Sequence, residues 1–231
     1  MNKVLIGIPS PGEWKAAFGL SLAHMCLRTE QDVVIASQLG SALSIQRTRI
    51  VRAAMEVNAT HLLFVDADMI FPSTMLDDLI ARDVDVVAAN CPVKMVPSQP
   101  TARVWRNGKW EMAFTHKGST GLEKVDRIGT GVMLLKMSIF EKVKEPWFAF
   151  LWEGEGGEYQ GEDWCLCEQI EAAGYDIWID HDVSKKIGHV GNFSFWHSMV
   201  RPEMLKHPGT EEFRMWADRG VEYGGAKLPG G

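Results

Sequence analysis

Apolar positions over the first ~90 residues alternate between two periods, one suited to strands and one to helices. Lys3 to Ile8 is a short β-branched run closed by Pro9-Ser10-Pro11-Gly12, and Trp14 to Leu27 then carries apolar residues at helical spacing. This predicts a strand, a turn and a helix. Asp32 to Ala36 reads as a second strand, Ala42 to Val57 as an amphipathic helix, and His61 to Val65 as a third, fully buried strand. Thr74 to Ala81 and Val84 to Ala89 complete a further helix and strand. Strands alternating with helices predict an α/β fold whose parallel sheet is covered on both faces. Right-handed crossovers then gather the strand ends on one edge, where ligands of such folds bind.

The pattern changes from Asn90 onward, because Pro92, Pro97 and Pro100 interrupt it. Trp105-Arg106-Asn107-Gly108-Lys109-Trp110 follows, and its Asn-Gly pair predicts a two-residue hairpin with Trp105 opposite Trp110. Gly131 to Leu135 reads as a strand, Ser138 to Val143 as a short helix, Asp163 to Ala173 as a helix ended by Gly174, and Asp176 to Ile179 as a strand. No internal repeat or low-complexity tract is present, and the glycine-rich tail from Glu222 to Gly231 is expected to fray.

Charge and composition narrow the classes. The 24 Lys+Arg against 30 Asp+Glu leave a net charge of −6 with no basic run, which argues against a dedicated nucleic-acid binder. An apolar fraction of 46% is enough for a sizeable core and excludes disorder over most of the chain. No stretch approaches the ~18 uninterrupted apolar residues of a membrane helix, and the start lacks the basic flank of a signal peptide, so a cytoplasmic protein is expected. Cys26, Cys91, Cys165 and Cys167 lack the spacing of a zinc site and read as reduced, buried thiols.

Three constellations can carry chemistry. Asp66-Ala67-Asp68 follows an apolar strand, and two carboxylates two residues apart in extended backbone project to one side, where they can share a divalent cation and the diphosphate it neutralises. The same spacing recurs as Asp83-Val84-Asp85 and Asp180-His181-Asp182. Asp83 and Asp85 precede their strand, on the edge away from the expected site, and read as solvated loop charges. Glu162 and Asp163 follow a glycine-rich loop at a helix start. They read either as N-terminal helix charges or as a general base on a loop that closes over substrate. The four glycines Gly154, Gly156, Gly157 and Gly161 predict that this loop is mobile until donor and cation bind. His189, between Gly188 and Gly191 and near Lys185 and Lys186, can complete a metal shell while a lysine meets phosphate. Eight of the nine tryptophans lie after Gln99. Trp105, Trp110, Trp152 and Trp196 sit in or beside loops, where an indole face can pack in the core or stack on a sugar ring.

In this order, the elements resemble a GT-A-fold nucleotide-sugar glycosyltransferase, closest to glycosyltransferase family 2. The matching residues are Ile8-Pro9-Ser10, Gln46-Arg47-Thr48-Arg49, Leu63-Phe64-Val65-Asp66-Ala67-Asp68, Gly129-Thr130-Gly131-Val132, Glu162-Asp163-Trp164 and His189. The resemblance implies a single domain over 1–231, with a nucleotide-binding half (1–100), an acceptor-side half (101–200) that includes the hairpin, and a C-terminal tail (201–231). It implies that Asp66 contacts the ribose or the metal, and that Asp68 and His189 bind Mn²⁺, or Mg²⁺ in its place. Pro9, Ser10, Arg47, Arg49, Ala67 and Lys186 are implied on the nucleotide, and Gly129, Thr130 and Gly131 under the acceptor side. Asp163 would take the proton of the acceptor hydroxyl, with Glu162 as the alternative, in an inverting transfer from a UDP-linked sugar. The helix N-terminus is expected to lower the Asp163 pKa. The Q-x-x-R-W motif and membrane helices of processive members are absent, which argues against a polysaccharide synthase. The acceptor, whether glycan, lipid-linked or protein, is not readable. A retaining transferase of the same fold, a nucleotidyltransferase and a non-catalytic carbohydrate-binding protein stand as alternatives.

Overall fold

The computed structural model describes residues 1–152, 157, 159–191 and 194–200. The expectations for the loop at Gly154 and Gly156 and for the tail from 201 onward fall outside these residues.

The first half runs β1 (Lys3–Ser10), α1 (Ala16–Arg28), β2 (Asp32–Leu39), α2 (Leu43–Glu56), β3 (His61–Val65), the two-residue β4 (Met69–Ile70), α3 (Met75–Ile80) and β5 (Val86–Ala88). Every predicted element is present, with ends shifted by a few residues. The second half holds the hairpin β6 (Arg103–Arg106) and β7 (Lys109–Met112), then β8 (Leu122–Val125), β9 (Val132–Lys136) and a 3₁₀ turn over Met137–Glu141. After these come β10 (Leu151–Trp152), β11 (Tyr159–Gln160), α4 (Glu162–Ala172), β12 (Ile177–Asp180), α5 (His181–Ser184), β13 (Gly188–Val190) and β14 (Ser194–Trp196).

Seven strands form the central sheet in the order β2-β1-β3-β9-β5-β12-β8. Five of them run one way, while β9 and β8 oppose their neighbours. The sequence pattern predicted a parallel sheet, and the structure inserts antiparallel β9 at its centre. Alternating residues go to opposite faces. Leu5, Leu62, Phe64 and Met133 pack with Ile50, Val51 and Ala54 of α2 and Leu166 and Ile170 of α4. Val4, Ile6, Leu63 and Val65 pack on the other face with Phe18 and Leu22 of α1 and Leu76 and Leu79 of α3. Three layers result, helix on sheet on helix.

Gly7 of β1 marks how closely α2 lies on the sheet, because a β-carbon there would collide with the Ile50 side chain. Gly7→Ala should therefore overpack the core and cost about 1–3 kcal/mol in a urea titration. An unchanged midpoint would show that α2 can retreat. In the hairpin, Asn107 and Gly108 take φ of 52° and 76°, the left-handed pair that a tight primed turn requires, and Trp105 pairs with Trp110 as the sequence predicts.

The Asp-x-Asp spacing serves other ends at its other two places. Asp180 is fully buried, accepts from the backbone N–H groups of Asp182 and Val183, and is paired with Arg82, so it shapes the start of α5. Asp83 pairs with Lys136 at 2.8 Å, on the sheet edge away from the Asp66 turn. Residues after Lys186, to which the sequence pattern assigns no element, form β13, which pairs with β4 and β14. Among the described residues, no helix is long and apolar enough to cross a membrane.

Candidate active site

The chain leaves β3 into a turn, in which the N–H of Met69 donates to the carbonyl of Asp66 at 3.1 Å. Asp66 and Asp68 therefore sit on a turn and not on the extended backbone that the spacing suggested. Three backbone bonds pin this turn. Asp66 donates to Gly131, Lys15 donates to the carbonyl of Ala67, and Val190 donates to the carbonyl of Asp68. Pairing of β4 with β13 places His189 opposite Met69, which brings together side chains 121 residues apart in sequence.

His189 Nε2 lies 3.1 Å from Asp68 Oδ1, while its Nδ1 lies 2.9 Å from the carbonyl of Pro92. A carbonyl only accepts, so Nδ1 carries a proton and donates to Pro92, which turns Nε2 toward Asp68. With a proton, Nε2 donates to the carboxylate; without one, its lone pair can share a cation with Asp68. The 3.1 Å separation matches the edge spanned by two adjacent ligands with bonds of roughly 2.1 Å. Anchoring of the distal imidazole nitrogen by backbone is how metal-binding histidines are oriented. Asp68 and His189 thus fit a divalent cation whose other positions would be filled by diphosphate oxygens and water. Among the described residues, no three His, Cys, Asp or Glu side chains converge, and Asp66 is turned elsewhere.

Lys94, on the proline-rich segment after β5, pairs with the other oxygen of Asp68. Burial would raise the Asp68 pKa, but the hydrogen bonds from His189 and Lys94 override it and hold the group at about 2. An open cleft of about 330 Å³ lies over this pair, lined by Pro9, Lys15, Asp66, Ala67, Lys94 and His189 among others. Buried Ser10 braces the 10–13 turn, which brings Pro11 and Glu13 to the cleft, its hydroxyl accepting from the N–H of Gly12 and donating to the carbonyl of Glu13.

Asp66 belongs to a second group. Arg47, buried on α2, spans the Asp66 carboxylate at 3.2 Å and the Glu162 carboxylate at the start of α4. This occupies Glu162 structurally and leaves Asp163 as the less committed acid. A β-carbon at Gly129 would lie 3.3 Å from Asp163 Oδ2, and one at Gly131 would lie 3.4 Å from Asp66 Oδ2. The segment Gly129-Thr130-Gly131 therefore runs between the two carboxylates, and bare glycines leave room for both. Thr130 Oγ1 and Thr101 Oγ1 are buried here without a partner among the described residues.

The expected lowering of the Asp163 pKa is not found. Burial in the α4 N-terminus raises it to about 6, against the opposing pull of Arg47 and with a further push from Glu162. The N–H of Trp164 donates to Asp163 at 2.9 Å, but this does not offset desolvation. Two other expected nucleotide residues stand apart. Lys186 lies 3.5 Å from Asp78 in a separate depression beside Arg82, and Arg49 is exposed, 200° around the helix from Arg47. Sequence reasoning missed Lys15, at the start of α1, and Lys94, which lies in an irregular proline-rich segment with no periodic signal.

No protein-family model and no curated protein matches the sequence. Solved structures do match in fold. The crystal structure of A197 from STIV superposes with a TM-score of 0.56 at 19% identity, covering 83% of this chain and 86% of that one. S. aureus TarS 1-349, solved in complex with UDP-GlcNAc, superposes with a TM-score of 0.46 at 13% identity, covering 79% of this chain and 56% of that one. At such identities the likeness is one of architecture, here a mixed α/β, GT-A-like Rossmann fold.

Proposed function

We propose that this chain is a glycosyltransferase that moves a sugar from a nucleoside diphosphate, UDP in the first instance, to an acceptor hydroxyl with inversion. The observation that carries this reading is the division of the site. A cation-fitting pair, Asp68 with His189, stands at the carboxyl ends of β3 and β5, and a carboxylate with a pKa of about 6, Asp163, stands across Gly129-Thr130-Gly131.

Each residue has a task in a single displacement. Asp68 and His189 would hold the divalent cation, which when bound would neutralise the departing diphosphate. Lys15 and Lys94 line the same cleft and supply further positive charge to phosphate. Asp163 accepts the proton of the acceptor hydroxyl as its oxygen bonds to the anomeric carbon and the bond from that carbon to the diphosphate breaks. Arg47 fixes Asp66 and the start of α4 in mutual register, so the two sides of the site are set by one guanidinium.

Isothermal titration with UDP, with and without Mn²⁺, tests the cation role. Mn²⁺ should be required for tight binding, and Asp68→Asn should weaken Mn²⁺-dependent binding by well over tenfold. Unchanged affinity in that variant would remove Asp68 from any metal site. Slow hydrolysis of one member of a panel of nucleotide sugars would identify the donor without knowledge of the acceptor.

A further inference from the structure

The hairpin β6–β7 carries an aromatic surface outside the donor cleft. Trp105 is 53% exposed and meets Trp110 at 4.9 Å between ring centroids in a T-shaped contact. Trp110 in turn lies 5.2 Å from Trp164, the residue that follows Asp163. The three indoles thus form a continuous line from the proposed base to the hairpin.

An open depression of about 440 Å³ lies beside the first two rings, walled by Asp126, Arg127 and Glu171. Arg127 places its guanidinium over one face of Trp110 at 5.0 Å and pairs with Glu168 and Glu171, which fixes the Trp110 ring. Asp126 accepts from the backbone N–H of Trp105 at 2.6 Å and holds the hairpin against the body of the protein. The Glu171 side chain remains 61% exposed, so its carboxylate is open to hydroxyl donors. A surface meant for an apolar peptide segment would surround its aromatic anchors with aliphatic side chains that exclude water. Here the surroundings are carboxylates and a guanidinium. Rigid indole faces beside charged hydrogen-bonding groups match a pyranose, which has an apolar C–H face and a rim of hydroxyls.

We propose that Trp105 and Trp110 form a saccharide-binding platform that holds the acceptor as an oligosaccharide, with its far units on the hairpin and its reacting end led past Trp164 to Asp163. This rests on the transferase reading for its direction, although binding on the platform does not need the donor. It makes the acceptor a glycan of several units and not a single sugar.

The full chain, without donor, is screened on an array of immobilised oligosaccharides, and the best binder is then titrated in solution by calorimetry. Trp105→Ala should weaken that binding about tenfold or more and leave Mn²⁺-dependent UDP binding unchanged. Trp105→Tyr, which keeps a stacking face, should hold affinity within about threefold and so separates loss of the ring from damage to the hairpin. Failure of every arrayed oligosaccharide to bind overturns the platform, as does Trp105→Ala binding like the wild type. Oligosaccharide binding that depends on Trp105, in a chain that neither binds UDP nor hydrolyses any nucleotide sugar, would uphold the platform and overturn the transferase reading.

Discussion

Asp163→Asn should lower transfer by about 10²- to 10⁴-fold, the range over which a positioned general base acts, while Mn²⁺-dependent UDP binding stays within twofold of wild type. The side-chain amide still accepts from the N–H of Trp164, so the start of α4 keeps its local hydrogen bond. What it loses is a site for the acceptor proton. The same carboxylate sets the pH dependence. Its pKa of about 6 means that the base is ionised above pH 6 and loses its active form tenfold per unit below. The plot of kcat/KM should rise to about pH 6 and level off beyond it. Near-normal turnover of the variant, or a flat profile between pH 5 and 7, would remove Asp163 from this role, and a product that keeps the donor's anomeric configuration would rule out the single displacement.

The raised pKa also has a sign in stability. The group's ordinary value is 3.8 and its folded value is about 6, so the unfolded chain releases this proton first as pH rises. Stability from this group is complete below pH 3.8 and is lost through pH 6, by roughly 2–3 kcal/mol at neutrality. Replacing the carboxylate with an amide removes the loss. Asp163→Asn is thus expected to melt higher than wild type at pH 8 and close to it at pH 4. A gain in stability with a collapse in turnover is the signature of a group kept for its chemistry, since a purely structural cap would lose stability on the same change.

The sequence pattern made the first half of the fold legible because buried strands and amphipathic helices there keep their periods. It could not show direction. The run from Val132 to Leu135 is apolar whichever way it points, so the antiparallel insertion of β9 between β3 and β5 left no mark on composition. Neither could it show the meeting of His189 with Asp68, which depends on a two-residue strand, β4, too short to register as a pattern. Lys94 has the same history, since an irregular proline-rich segment carries it to Asp68. The Asp163 pKa went the other way from expectation because the dipole of a helix start is visible in sequence whereas the depth at which that start is buried is not. Arg47 and Arg49 were separable in principle. Gln46, Arg47, Ile50, Val51 and Ala54 repeat at helical spacing on the buried face of α2, and a residue two places from Arg47 has to point away from it.

That placement makes Arg47 the residue whose loss should most damage the fold. Its side chain is only 4% exposed and spans two carboxylates on separate elements, Asp66 after β3 and Glu162 on α4. Removing one member of a buried ionic group leaves its partners charged and without compensation, which costs about 3–5 kcal/mol. Arg47→Met keeps the aliphatic stem and deletes the guanidinium, so its deficit in urea titration combines the stranded carboxylates with the space the guanidinium filled. Adding Glu162→Gln should recover a good part of that deficit, because the buried carboxylate is then gone too. Arg47→Lys should fall between, since one ammonium cannot reproduce the planar fork that reaches both acids. The loss also reaches the chemistry. Arg47 pulls the Asp163 pKa down, so without it the rise in kcat/KM should move to higher pH than in wild type, whereas a guanidinium with a purely structural role would leave the profile where it was. A deficit under about 1 kcal/mol, or a double variant no more stable than Arg47→Met alone, would mean that water reaches Glu162 and that this guanidinium does not join the two halves of the site.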